Sequence, residues 1–199
     1  MKKLTIGILA LQGGVIEHIL AMKAAAESLR MNCNIIEVRS KEGLVGLDGL
    51  IIPGGESTVL QKLCERENMF DDLKKTPAIF GTCAGAIMLA KKANNKEAGQ
   101  RTLELMDIEI DRNGYGRQNE SFEQEIRTEF GLINAIFIRA PRIKSVAKGV
   151  NVLAENNGEI IACEEKVDGR YYLALCFHPE LSSSQFHSHF LRNAIGLKS

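Results

Sequence analysis

The sequence predicts an α/β fold: a three-layer open sheet, mostly parallel, with helices on both faces and an antiparallel extension. Short apolar, β-branched runs alternate with segments of helical spacing through residues 4–92, and that order buries a parallel sheet between helices. The runs lead into glycine turns, Gly13-Gly14 and Pro53-Gly54-Gly55, at the sheet edge where such folds bind their ligands. Short strands in the second half are separated by Asn156-Asn157-Gly158 and Asp168-Gly169, which are hairpin signals.

Taken in order, Leu4–Leu9 is an apolar strand, and Val15–Arg30 carries alanines and leucines at helical spacing. Cys33–Val38 and Gly49–Ile52 read as the next strands. Ala78–Thr82 is a strand between the helices Thr58–Glu67 and Ala84–Lys92. This gives the order β-α-β-β-α-β-α. Met106–Ile110, Ile133–Ile138, Asn151–Ala154, Glu159–Cys163 and Tyr171–Phe177 supply the strands of the second half, and Ser184–Ile195 closes the chain as a helix. The polar stretches 93–105 and 112–130 read as loops over the site or the surface. With 199 residues and no linker or repeat, one domain over residues 1–199 is expected.

Composition narrows the function. The 25 basic residues balance the 25 acidic ones, so no global field points to nucleic acid or membrane. Five scattered cysteines form no C-x-x-C pair, which argues against a disulfide framework or zinc site and for a reducing compartment. The run at the N-terminus is broken early by Gln12 and Gly13-Gly14, unlike a signal peptide or membrane span. A cytoplasmic chain without cofactor or metal is expected.

The chemistry centres on Cys83, within Gly81-Thr82-Cys83-Ala84-Gly85 at a strand-to-helix turn. Glycines on both sides permit the close backbone approach that raises a nucleophile above its sheet. The start of the following helix favours a thiolate. From these residues alone, a cysteine packed as a small hydrophobe stays open as the alternative. A base is offered by His178 in Phe177-His178-Pro179-Glu180, after an apolar strand. Glu180, two residues on, can fix the ring's tautomer; a strand-end histidine beside a solvated carboxylate is the other reading.

The loop Pro53-Gly54-Gly55-Glu56-Ser57-Thr58 leaves backbone N–H groups bare, a candidate oxyanion hole opposite the N–H of Ala84. Glu56 and Ser57 can hold a polar substrate end, and Ser57 can cap the next helix. The loop lacks the Lys-Ser/Thr of a phosphate-binding P-loop. Arg112 and Arg139 follow strands and can reach a carboxylate bidentately, although surface arginines are the default. His18 opens near the site edge, facing the site, a partner or solvent. His187 and His189, two apart on a helix, cannot share a metal.

Together these stretches resemble the glutaminase subunits of pyridoxal 5′-phosphate synthase, a family of class I (triad) glutamine amidotransferases. The likeness rests on Leu11-Gln12-Gly13 with Glu17-His18, the Gly54-Gly55-Glu56-Ser57-Thr58 stretch, and the Cys83 elbow. It continues in Arg112-Asn113 with Gly116-Arg117-Gln118, in Phe137-Ile138-Arg139-Ala140-Pro141 and in His178-Pro179-Glu180. The elbow and His-x-Glu are common to the superfamily; the Glu56, Arg112 and Arg139 stretches separate this family from the glutaminase subunits of imidazole glycerol phosphate synthase. The chain departs from the pattern at Gly14 and Ala86.

The resemblance implies a flavodoxin-like fold of the class I amidotransferase type. It implies Cys83 as nucleophile with His178 and Glu180, and Gly55 and Ala84 as oxyanion donors. Gly55, Glu56, Ser57, Arg112, Ile138 and Arg139 would bind L-glutamine. A hetero-oligomeric complex with the synthase subunit is implied, with Gln12 and His18 near the interface, and ammonia passes to that subunit for coenzyme synthesis. A cysteine peptidase or stress-protein relative could share the elbow, and a catalytically silent interaction subunit could share the triad.

Overall fold

The computed structural model describes residues 3–114 and 121–197. Its parallel half consists of β1 (Leu4–Leu9), α1 (Val15–Ser28), β2 (Cys33–Val38), β3 (Gly49–Ile52), α2 (Ser57–Arg66), the short α3 (Phe70–Leu73), β4 (Ala78–Thr82) and α4 (Ala84–Leu89). The second half runs β5 (Ala90–Asn94), β6 (Met106–Asp111), β7 (Ser121–Thr128), β8 (Gly131–Ile138), β9 (Arg142–Val146), β10 (Val150–Asn156), β11 (Glu159–Val167), β12 (Arg170–Leu175) and α5 (Gln185–Gly196).

The main sheet has the order β2-β1-β3-β4-β12-β11-β10-β7-β8, and β5, β6 and β9 join it through β11. Pairing from β2 to β12 is parallel, and from β12 to β8 it is antiparallel. β12 is therefore the seam between the two halves. Strands buried on both faces read as continuous apolar runs, as β3 and β4 do, and every residue of both is buried. Alternate residues of β4 meet helices on opposite faces: the Phe80 ring lies 5.6 Å from Phe190 of α5, while Gly81 backs onto Gly85 of α4. The predicted fold class is the observed one.

Both hairpin signals act as turns. Asn157 and Gly158 have φ of 51° and 78°, and Asp168 and Gly169 have 50° and 72°, the paired positive values that a tight hairpin needs. Three strands depart from the sequence reading. The helix after Cys83 ends at Leu89, and Ala90–Asn94 pairs with β6 instead of continuing it. Arg142–Val146 pairs with both β6 and β11. Ser121–Thr128 lies in the stretch read as a loop; it has the period-2 alternation of a strand, with Ile126 and Thr128 buried between exposed neighbours.

Candidate active site

The seam brings the predicted triad together. β4 and β12 are parallel neighbours with Thr82 beside Leu175, so Cys83 and His178 leave the same sheet edge just beyond the paired strands. Distance along the chain is cancelled by one strand pairing. Cys83 sits at φ 50° and ψ −105°, outside the comfortable regions for a residue with a Cβ. Its N–H donates to Leu175 O at 2.8 Å, and its Sγ lies 3.9 Å from Ile138 O.

Glycine is required around it. A Cβ at Gly85 would fall 2.0 Å from Ile52 O, and one at Gly81 would fall 2.4 Å from Gly85 C. A Cβ at Gly54 would fall 2.4 Å from Cε1 of His178, so the glycine loop rests directly on the ring.

His178 Nδ1 donates to Glu180 Oε1 at 2.8 Å, leaving Nε2 for the thiol side. The Glu180 side chain is only 1% exposed. Burial works to lower the His178 pKa, but hydrogen bonds with Cys83 and Glu180 outweigh it and raise it to about 10. The ring therefore holds a proton at neutral pH. Away from the site, burial pushes the Cys33 thiol up to about 11, Cys64 and Cys176 up to about 12, and Cys163 higher still.

A cavity of about 290 Å³ opens in front of the thiol, at the small end for ligand pockets. Cys83, His178, Gly55, Glu56, Ser57, Arg112, Ile138 and Arg139 all line it, so every residue assigned to glutamine by resemblance faces one space with the Cys83 thiol. Ala84 opens α4 behind the thiol, where the first N–H groups of a helix lack intrahelical partners. Gly55, at φ 132°, is in a conformation that favours glycine. Gly116, Arg117 and Gln118 lie outside the described residues.

Glu56, not Ser57, caps α2, accepting from the N–H groups of Thr58 at 3.0 Å and Val59 at 2.7 Å. Its Oε1 also takes Nη2 of Arg112 at 2.6 Å. Partial burial works to raise the Glu56 carboxyl, but the two backbone bonds and the Arg112 charge hold it below its ordinary range. Ser57 is buried, and its Oγ accepts from Gln100 Nε2 at 2.9 Å. Gln100 belongs to the polar stretch 93–105, and nothing local in the sequence singled it out. Gln12 donates to Glu56 O at 2.7 Å, and its side chain packs over Gly55, within 2.9 Å of where a Cβ would be.

Of the readings open to His18, facing the site, a partner or solvent, the site side is the one seen: its side chain is fully buried, with Nε2 3.5 Å from Glu180 Oε2, and it presents no surface of its own. Four residues into α1, it points inward against Phe80, with ring centroids 6.1 Å apart. His187 is equally buried beside it. His189 pairs with Glu164 at 2.6 Å on another part of the molecule. Among the described residues no group of His, Cys, Asp and Glu could hold a metal ion, and no helix is long and apolar enough to cross a membrane.

Comparison with known proteins follows the same line. The chain is 42% identical over 197 residues to "Pyridoxal 5'-phosphate synthase subunit PdxT" of Korarchaeum cryptofilum, covering 96% of this chain and 98% of that one. It is 44% identical to the protein of the same name from Desulforamulus reducens, over 95% of this chain and 98% of that one. A solved structure described as "Crystal structure of glutamine amidotransferase" superposes with a TM-score of 0.81 at 39% identity, over 95% of this chain and 98% of that one. The model of the SNO glutamine amidotransferase family matches residues 8–196. The chain belongs to the SNO glutamine amidotransferase family.

Proposed function

We propose that this chain is the glutaminase subunit of a pyridoxal 5′-phosphate synthase, with Cys83, His178 and Glu180 as its catalytic triad. One observation carries the assignment of residues: the thiol opens into a cavity whose other walls hold a carboxylate and two guanidinium groups suited to an amino acid. The name shared by the relatives supplies the pathway.

In this reading Arg112, Arg139 and Glu56 hold the charged end of glutamine and direct its side-chain amide toward Cys83. The thiolate attacks the amide carbon, and the oxyanion that forms is met by the N–H groups of Gly55 and Ala84. One such donor typically contributes about 3 kcal/mol to the transition state. His178, protonated at neutral pH, donates to the departing nitrogen, which leaves as ammonia. The ring then takes a proton from water, and the resulting hydroxide attacks the thioester, expelling the Cys83 thiolate and leaving glutamate. Glu180 keeps Nδ1 occupied throughout, so that Nε2 serves both transfers.

Ammonia passes to a synthase subunit in the same hetero-oligomer. In this reading the contact lies around the start of α1, a position supported by the exposure of Ile16 and Leu20, 66% and 60%. Gln12, beside them, holds the backbone next to Gly55, so a partner touching Gln12 can set the oxyanion loop and couple hydrolysis to ammonia use. The protein is read as one domain over residues 1–199, and the cytoplasm is its expected place, consistent with five free cysteines.

Replacement of Cys83 tests the function directly. Cys83→Ala in complex with the synthase subunit should release no glutamate from glutamine, yet still support coenzyme formation from ammonium salts. Coenzyme formation from glutamine by the variant complex overturns the assignment.

A further inference from the structure

Glu180 uses only one of its oxygens on His178. The other, Oε2, is buried and makes no hydrogen bond with any described residue, although His18 Nε2 stands 3.5 Å away. His18 is itself held on both ring nitrogens, Nε2 by Thr82 Oγ1 at 3.1 Å and Nδ1 by His187 Nε2 at 2.9 Å. His187 Nδ1 is buried without a hydrogen-bond partner among the described residues. The side chains thus form a file running from α5 through α1 to the triad.

Only one proton arrangement suits this file. Between His187 Nε2 and His18 Nδ1 one nitrogen donates and the other accepts. If His187 donates, His18 carries its proton on Nε2, aimed between Thr82 and Glu180, and His187 Nδ1 is left as a bare lone pair. If His18 donates instead, its Nε2 lone pair faces the carboxylate, and His187 keeps a buried N–H with nothing to receive it. The second arrangement sets two electron-rich atoms against each other and orphans a donor, so the first prevails. Both rings must be neutral for it, and burial does lower both, His187 to about 3.

We propose that His18 is a positioning residue of the triad: its Nε2–H, fixed by the donation from His187, holds the free oxygen of Glu180 so that the other stays on His178. The distance of 3.5 Å is long for a resting hydrogen bond, and such contacts shorten when the reacting complex forms. The proposal rests on reading Cys83, His178 and Glu180 as the triad. It adds a third layer, drawn from α1 and α5, to the nucleophile and its base.

The experiment compares His18→Phe with His18→Gln in the complex with the synthase subunit. Phe keeps an aromatic ring against Phe80 but has no donor, whereas the Gln side chain places an N–H2 where His18 has Nε2. His18→Phe should lower kcat for glutamine about 10- to 100-fold, the usual loss on removing an outer partner of a working ligand, with KM within twofold. His18→Gln should recover most of that loss. An unchanged kcat in folded His18→Phe, or a His18→Gln no better than His18→Phe, overturns the proposal. If either variant fails to fold, long-range proton–nitrogen NMR on the unaltered protein decides: neutral His18 protonated on Nε2 is expected, and protonation on Nδ1 overturns it. An active Cys83→Ala would instead mark failure of the triad itself, independently of either result.

Discussion

Glu180 separates two regions in which the same residue type is held in opposite states. On the cavity side, His178 keeps its proton, raised to about 10 because Cys83 and Glu180 outweigh the effect of burial. On the interior side, His18 and His187 lie in apolar packing around Phe80, where burial prevails and drives both neutral. Burial alone does not decide what a histidine does. The deciding difference is the company each ring keeps: Glu180 lies 2.8 Å from His178 but 3.5 Å from His18, where the N–H is shared with Thr82. His178 lines the cavity and can exchange protons with substrate, whereas His18, buried away from it with its tautomer fixed, can only orient.

The severest way to break that contrast is Glu180→Gln. A carboxylate accepts from both rings, but an amide presents one acceptor and one donor, so it opposes a donor on one side whichever way it turns. The kcat of the complex should fall by as much as about 10⁴-fold, as when the acid of a Ser-His-Asp triad becomes its amide. The His178 midpoint, followed by ring NMR, should drop from near 10 because an anion beside the imidazolium is gone. The linkage sign follows: a raised folded pKa gives stability that is complete below about 6.5 and lost as pH climbs through about 10. Glu180→Gln should therefore lose less stability than the unaltered protein across that alkaline window. A variant that keeps a midpoint near 10 contradicts the role given to Glu180.

The cavity side of this contrast was far more legible in the sequence than the interior side. Cys83 announces itself because its strained turn needs Gly81 and Gly85, and His178 and Glu180 are near neighbours in one strand-end motif. Such constraints are local, and local constraints leave marks in the sequence. The His18–His187 pair spans 169 positions and depends on α1 and α5 packing on the same sheet face, which neither segment reveals alone. Gln100 on Ser57 is hidden for the same reason. Glu56 and Ser121–Thr128 are different, since their signals were present. A carboxylate preceding Ser57-Thr58-Val59 can cap a helix, and Ser121–Thr128 alternates; its charged exposed positions gave the appearance of a loop.

A smaller effect is expected where binding, not proton transfer, is touched. Arg112 lines the cavity and bonds Glu56 at 2.6 Å with a side chain 12% exposed. Arg112→Met should raise KM for glutamine roughly 10- to 100-fold, the worth of a hydrogen bond to a charged group, with kcat changed only a few-fold. An unchanged KM would move the ligand's charged end elsewhere in the cavity. The contrast between the two variants separates the group that holds the ring from the one proposed to hold the substrate.

The smallest effect belongs to the interior side and sharpens the comparison through pH. A histidine kept neutral by burial takes up its proton only when the chain unfolds, so the unfolded state binds more protons below about 6.5. With its folded pKa lowered to about 3, His187 contributes stability that is present above 6.5 and lost as pH falls from there toward 3. His187→Phe keeps a ring against Phe80, 5.3 Å away by centroids, and removes that titration. Melting temperatures measured from pH 7.5 to 4.5 should fall with acidification in the unaltered protein and fall less in the variant. The difference should amount to a few degrees, since 1 kcal/mol is worth roughly 2–4 °C in a chain of this size. His18 remains buried and neutral in the variant, so part of the slope persists. Parallel curves would mean that His187 accepts a proton within the fold, and the neutral file behind Glu180 would lose its first member.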